Sequence, residues 1–379
     1  MNGLSRGLVC MRSGTALHDL PRVTDLAAAT TDAVCIFEEA RQVPLPQPLF
    51  VDSLEALPAL TRDIVSRTHS AIDPVYIAKL RNVTLTGDRD LVTQDGLYLA
   101  DLWNQAGLHT KAPGPVRADG RVIEVAGLSL LLFHNASSGD NHSHWLLQTL
   151  PQLGHCERAG IKPDRLVVQP NIRPYQREVL AAFGYGADRL IERDPCHAMR
   201  FGALCVGYVD GGLVPCAAIY DRQIEMFDAD RRGPERIYIS RQDARGIRKC
   251  LNEPELIERL RPLGFTIVNP SALSAAEEVT VFRDARLIVG PLGAGLYNAL
   301  FTKSGAVVIA LSDPRYVMEW LAQTAALRGH AYGWIFGLAF ESYDPVYTGT
   351  HGNWIIDVQR AVRRLNSIDL KRRTIERVD

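Results

Sequence analysis

The sequence predicts a two-domain α/β protein whose parallel sheets are covered by helices on both faces. Three observations carry this. From Arg165 onward, short and continuously apolar runs alternate with amphipathic stretches, the pattern of strands buried on both sides. A polar break, Arg231-Arg-Gly-Pro234, interrupts that alternation and makes the best domain boundary. Finally, Ile288-Val-Gly-Pro-Leu-Gly-Ala-Gly-Leu-Tyr-Asn298 followed by Ala306-Val-Val-Ile-Ala-Leu311 reads as strand, glycine-rich turn, short helix and strand.

Residues 1–70 read as a leader, broken by Pro44, Pro46 and Pro48, with a helix over 54–66. Strand signals begin at Val75-Tyr-Ile-Ala and continue through Val83-Thr-Leu, Leu91-Val-Thr and Leu97-Tyr-Leu, divided by Gly87-Asp88 and Asp95-Gly96. Two more strands are expected at 122–125 and 128–133. The period then changes: 141–157 reads as a helix that Pro151 should kink or break. Strands at 165–169, 189–192 and 203–209 alternate with helices at 175–183 and 217–230. The second lobe expects strands at 236–240, 265–268, 286–289 and 306–311. Its helices fall at 253–263 (ended by Gly264), at 317–327 and after a capping box, Ser274 with Glu277. An amphipathic helix over 354–365 closes the chain. The expected organisation is a leader at 1–70, an N-terminal lobe at 71–232 and a C-terminal lobe at 233–379, with a cleft between the lobes.

Composition excludes several classes. The 379 residues carry 42 Lys and Arg against 43 Asp and Glu, a net charge of −1, with no long run of one sign. That argues against a nucleic-acid binder driven by phosphate attraction. The basic tail Lys371-Arg-Arg373 suits a solvated terminus or weak peripheral contact with an anionic membrane. Seven scattered cysteines without a C-x-x-C pair exclude a zinc knuckle or redox motif and fit reduced thiols. No apolar run has the length of a signal peptide or a membrane span, so a cytoplasmic protein is expected. The Asn-x-Ser/Thr triplets at Asn82, Asn135 and Asn141 are then chance.

Three segments could carry chemistry. In the glycine turn, Gly293, Ala294 and Gly295 let the backbone turn tightly and approach a ligand, and the helix start that follows suits phosphate. Tight helix–strand packing is the plain alternative. Next, Arg241 follows a strand end, and Arg248, Lys249 and Asn252 come soon after. Charge-assisted donors of this kind hold a diphosphate; otherwise the run is a solvated loop. Last, Asn141, His144, Gln148 and Gln152 share one stripe of the 141–157 helix. His144 there could take a proton from a hydroxyl near neutral pH, with Asp140 as second choice, or could simply cap or pack the helix. A His-x-His metal pair lacks any third ligand, so no metal is expected.

In this order the segments resemble glycosyltransferase family 61. The matching pieces are Asn141-His-Ser-His-Trp-Leu-Leu with Leu150-Pro151, and Ile237-Tyr-Ile-Ser-Arg241 with Arg248-Lys249 and Asn252-Glu253. Leu263-Gly-Phe265, Leu273-Ser274 and Gly290-Pro-x-Gly-Ala-Gly-Leu-x-Asn298 with Leu300-Phe301 follow. The resemblance spans about residues 75–340. It implies two Rossmann-like lobes of GT-B type after a β-rich N-terminal segment, a nucleotide-sugar donor and a glycan or lipid-linked acceptor. It also implies inversion at the anomeric carbon without metal or other cofactor, in polysaccharide biosynthesis. Arg241, Arg248 and Lys249 would bind the diphosphate, Asn252 and Asn298 would orient the pocket, and Asn141 and Gln148 would form the cleft wall. The chain departs from the family where it has Gln148 (usually acidic), Gln152 (usually basic), Leu292 (usually His) and Ala310 (commonly Glu). Two other readings stay open: a catalytically silent sugar-nucleotide or glycan binder, and a pyruvyl-type transferase.

Overall fold

The structure is a computed structural model. It describes residues 31–38, 41–52, 54–72, 75–86, 90–93, 122–132, 141–194, 197–207, 216–227, 232–242, 248–303, 305–340 and 352–375. The chain divides into two compact units, one of residues 1–41 with 72–219 and one of residues 42–71 with 220–379. Residues 42–71, read above as part of a leader, therefore belong to the second unit. The division falls inside the Ala217–Met226 helix, ahead of the polar break at 231–234.

The first unit is built on one mixed sheet. Its strands are β1 (Thr31–Glu38), β4 (Val75–Thr86), β5 (Asp90–Thr93), β6 (Val122–Leu131), β7 (Arg165–Val168), β8 (Leu190–Glu192) and β9 (Ala198–Gly207). Between β1 and β4 come two short strands, β2 (Arg41–Pro44) and β3 (His69–Ile72), which pair with each other. The order is β1-β4-β9-β6-β7-β8, with β5 paired to β4. From β9 to β8 the strands are parallel; β1, β4 and β5 join antiparallel. The β-rich N-terminal stretch is thus one flank of a single sheet rather than a segment ahead of it. Leu80, Val83, Leu131, Phe201 and Leu204 form its core.

Several local expectations change. Val75-Tyr-Ile-Ala and Val83-Thr-Leu are one strand, β4. The two strands expected at 122–133 are also one, β6, whose register against β9 shifts between Val125 and Leu128. Gly127 sits there at φ 80°, and a Cβ would meet Asp164 Oδ2 at 2.6 Å. That carboxylate accepts from the Leu128 N–H at 2.8 Å, so the bulge is pinned from outside the strand. Gly87-Asp88, Asp95-Gly96 and Leu97-Tyr-Leu lie outside the described residues, as does Arg231 of the polar break.

The second unit holds a fully parallel sheet of β10 (Arg236–Ile239), β11 (Thr266–Val268), β12 (Leu287–Pro291), β13 (Val307–Ser312) and β14 (Ala331–Phe336). The order β11-β10-β12-β13-β14 is a doubly wound arrangement whose direction of winding reverses between β10 and β12. Helices Glu253–Leu260, Ala275–Phe282, Trp320–Arg328 and Val358–Asn366 accompany it. The Ser274–Glu277 capping box forms as the sequence predicts, with the Ser274 N–H donating to Glu277 at 2.8 Å. Gly264, at φ 78°, ends the preceding helical stretch in the left-handed conformation expected of a C-cap glycine.

β14 had no counterpart in the sequence reading, and residues 49–52 lie along its edge. The Leu49 N–H donates to Tyr332 O at 2.7 Å, Asp52 N–H to Trp334 O at 3.0 Å and Trp334 N–H to Phe50 O at 3.1 Å. A sheet edge that would otherwise be open is covered. The buried Asp52 carboxylate then pairs with Arg360 Nε at 3.0 Å. The closing helix also differs: Trp354–Ile355 pairs with Leu338–Ala339 as two short strands, and the helix starts only at Val358, where Asp357 accepts from the Arg360 N–H at 2.9 Å.

Removing the Asp52 carboxylate should destabilise the second unit. Breaking a buried ion pair costs about 3–5 kcal/mol, but Arg360 is one-third exposed and can be rehydrated, so Asp52→Ala is expected to cost about 2 kcal/mol by urea unfolding. Acid should act through buried histidines. Burial holds the His330 imidazole down at about 4 and the His155 imidazole at about 3, from a starting value of 6.5. Both are neutral when folded, and the unfolded chain takes up their protons first. Stability is then complete above pH 6.5 and falls with each histidine by about 1.4 kcal/mol per pH unit down to its folded value. Unfolding midpoints that stayed flat from pH 6.5 to pH 4 would contradict this.

Candidate functional site

The glycine turn lies at the carboxyl end of β12, beside the carboxyl end of β10, at the point where the sheet reverses its winding. Ligands of open α/β sheets sit there. Arg241 follows β10 by two residues, and its guanidinium lies directly over the turn: a Cβ at Gly293 would stand 1.8 Å from Arg241 Nη1. Gly290 is equally constrained, since a Cβ would meet Ile239 Cβ at 2.8 Å, and one at Gly295 would press on Ile239 and Pro270 at 3.2 and 3.3 Å. None of the three lies in the left-handed region; Gly293 is extended at φ 169°. Close approach, not a left-handed turn, is what requires glycine here.

The helix after the turn, Ala294–Phe301, is a 3-10 helix of eight residues that opens with the Leu296 N–H donating to Gly293 O at 3.0 Å. Asn298 is fully buried within it. At its far end His330 Nε2 donates to Ala299 O at 3.0 Å. The helix is therefore held at both ends against its own unit.

Arg241 is positioned through its backbone as well. Its N–H donates to Glu253 Oε1 at 3.0 Å, at the start of the Glu253–Leu260 helix. Glu253 is buried, and that burial pushes its carboxyl up, against the pull of the Arg241 N–H and the Ser240 hydroxyl. Asn252, expected to orient the pocket, spends its amide on the backbone of Ile356, donating to the carbonyl at 2.8 Å and accepting from the N–H at 2.9 Å. Lys249 is tied in nearby: its N–H donates to Asn353 Oδ1 at 2.9 Å and its carbonyl accepts from the Trp354 N–H at 2.9 Å. Together these bonds fix the segment carrying Arg248 and Lys249 at the sheet's carboxyl side.

Arg248 is held at φ 65°, left-handed backbone that costs a non-glycine residue about 1 kcal/mol or more. Its guanidinium carbon lies 4.4 Å above the Tyr316 ring centroid. Tyr316 is placed by the turn after β13, where Ser312 Oγ donates to Tyr316 O at 2.6 Å and the Tyr316 N–H donates to Asp313 O at 2.9 Å. Asp313 is buried and takes Arg315 in a fork, at 3.1 and 2.7 Å. Sequence reading passed over Tyr297, Asp313, Arg315 and Tyr316, because no spacing rule connects them to Arg248.

The histidine segment belongs to the first unit. Residues 142–158 run as one helix without the break expected at Pro151. Its middle, Trp145–Thr149, is a π-helix in which the Leu150 N–H reaches back to Trp145 O. Proline lacks the N–H and clashes with a carbonyl one α-turn earlier, and the wider turn just before Pro151 absorbs both faults. Asn141 caps the start, accepting from the Ser143 N–H at 3.0 Å. His144 Nδ1 lies 2.5 Å from Oε1 of the buried Gln148. An amide oxygen only accepts, so Nδ1 carries a hydrogen, and in the neutral imidazole the lone pair is then on Nε2. Gln152 continues the stripe, donating to Gln148 O at 3.0 Å. His142 turns elsewhere, with Nδ1 3.0 Å from the Tyr175 hydroxyl. Asp140 lies outside the described residues.

Among the described residues no group of three His, Cys, Asp or Glu side chains could hold a metal ion, and no helix is long and apolar enough to cross a membrane. Cys156, Cys205, Cys216 and Cys250 are buried.

Comparison with known proteins finds no match among curated sequences. The family model Glycosyltransferase 61 matches residues 142–309. The match starts at the first residue of the His144 helix and ends inside β13, so it takes in His144, Arg241, Arg248 and the glycine turn. Residues 142–309 of this chain are therefore a glycosyltransferase family 61 domain, and the chemistry that the family brings is sugar transfer.

Proposed function

We propose that the protein is an inverting glycosyltransferase that moves a sugar from a nucleoside-diphosphate donor to a hydroxyl of a glycan or lipid-linked acceptor. The observation that carries the proposal is the contact of Arg241 with Gly293 at the winding reversal of the parallel sheet. A cation, a backbone without side chains and a helix start converge on one point. A diphosphate leaving group gathers negative charge as the glycosidic bond breaks, and fixed donors aimed at that charge lower the barrier. Arg248 and Lys249 add cationic charge on the same segment, while Asn252 and Asn298 act by positioning. Ala294 and Gly295 bring the backbone up to the phosphates.

On the acceptor side the proposal gives His144 the role of general base through Nε2. Gln148 sets the tautomer and holds the ring, and Asn141 fixes the helix start. The doubly wound second unit supports the GT-B reading, polysaccharide synthesis is the setting the resemblance suggests, and the scattered cysteines fit the reducing cytoplasm. A silent binder is favoured by the departures at Gln148, Leu292 and Ala310; the first makes the buried partner of His144 an amide where family members usually carry an acid. Product formation with any defined acceptor excludes it.

Assays of transfer and hydrolysis over a panel of sugar nucleotides test the donor site. Arg241→Ala should weaken donor binding roughly 10- to 100-fold, the loss of one charge-assisted hydrogen-bond set. Gly293→Ala should fold with a nearly unchanged melting point, since only the tip of Arg241 must swing aside, yet lose donor affinity to a similar degree. Wild-type turnover in both variants removes the junction from the mechanism. His144→Ala should lower kcat about 10²- to 10⁴-fold with donor affinity intact, and Gln148→Leu should lower it by a smaller factor. A His144→Ala enzyme with full kcat rules the imidazole out as base.

A further inference from the structure

Tyr297 lies in the 3-10 helix that follows the glycine turn, at the one position of the motif Gly-Ala-Gly-Leu-x-Asn that the resemblance leaves undefined. Its side chain is 3% exposed, yet its hydroxyl has no hydrogen-bond partner. Arg248 Nε, also buried, is likewise without one. Buried donors of this kind are rare, because each forfeits the hydrogen bonds that water would have given. The two are neighbours. Burial drives the Tyr297 hydroxyl well above the usual phenol range, and the nearby Tyr316 and Arg248 act on it with opposite sign. The hydroxyl therefore stays protonated and can donate. Aromatic rings frame the place: Trp320 meets Tyr297 edge-on at 6.1 Å between centroids, and Tyr316 lies beneath the Arg248 guanidinium. Arg248 is held there in left-handed backbone.

Two unspent donors, one of them cationic, with aromatic walls, match an oxyanion. We infer that Tyr297 and Arg248 form a second oxyanion site in the donor pocket, on the helix that leaves the Arg241–Gly293 junction. This rests on the donor reading above. If the junction takes the inner phosphate, the second site takes the next oxyanion of the donor, which is either the distal phosphate or the carboxylate of an acidic sugar.

Calorimetry on the full chain tests this with four probes: a nucleoside diphosphate selected from the uridine, guanosine, cytidine and thymidine set, its monophosphate, its uronic-acid sugar conjugate and inorganic pyrophosphate. Tyr297→Phe should keep or raise the melting point, since it deletes a hydroxyl that nothing in the free protein satisfies. It should weaken the diphosphate about tenfold and spare the monophosphate if the distal phosphate is bound, or weaken only the uronate conjugate if the sugar carboxylate is bound. Arg248→Gln should follow the same pattern. Equal affinities of wild type and Tyr297→Phe for every probe overturn the site, as does a lower melting point with unchanged binding, the mark of a structural hydroxyl. Pyrophosphate bound by wild type and lost in Tyr297→Phe, with no nucleotide bound at all, would uphold the oxyanion site while sinking the nucleotide-donor reading. Nucleotide binding abolished by Arg241→Ala and untouched by Tyr297→Phe would do the reverse. Wild type that binds none of the four sinks both.

Discussion

The Arg241 guanidinium rests so close to Gly293 that any side chain at that position would displace it. The rest of the second unit is arranged around this approach. It needs β10 and β12 to be adjacent and parallel, so that one strand end delivers the cation and the other delivers the turn. It needs Gly290, because β12 itself presses on Ile239 as the chain leaves the sheet. It needs Glu253, whose buried carboxylate holds the Arg241 backbone and sets where the side chain departs. A charged group fixed by packing before the ligand arrives costs little to reorganise, which is what electrostatic stabilisation of a leaving group requires.

Polar groups that look like ligand contacts in the sequence divide into two kinds in the structure. Asn252 is consumed by the Ile356 backbone and Lys249 is laced to residues 353–354, so that a distant part of the chain steadies the cationic segment. Arg248 is the other kind. It is strained in backbone and stacked on Tyr316. Strain of this sort persists only when the surroundings over-determine it. Residues 353–356 supply part of that constraint and residues 312–316 the other part.

The histidine helix answers a different problem. Pro151 sits where an α-helix would fail, yet the chain crosses it by widening one turn. The widened turn carries Gln148, and its amide oxygen selects which imidazole nitrogen of His144 is protonated. A family departure that the sequence showed only as a missing acid thus has a definite structural content: the imidazole is oriented by a neutral acceptor instead of a charged one.

Much of this was legible in the residues. The continuous apolar strands of the second unit, the Ser274–Glu277 box and the Gly264 stop each follow from local rules, and all form. Arg241 at a strand end and the glycines after the next strand could be named, since backbone reach and charge are properties of short segments. What the sequence left open depends on residues far apart in the chain. Residues 49–52 cover the edge of β14, the Gly127 bulge joins two expected strands into one because Asp164 pins it, and Tyr297 is left beside Arg248 and Tyr316. Local periodicity decides which segments become strands or helices; only the packed sheet decides which side chains, dozens of residues apart, end in the same small volume, and which of their polar atoms find a partner there.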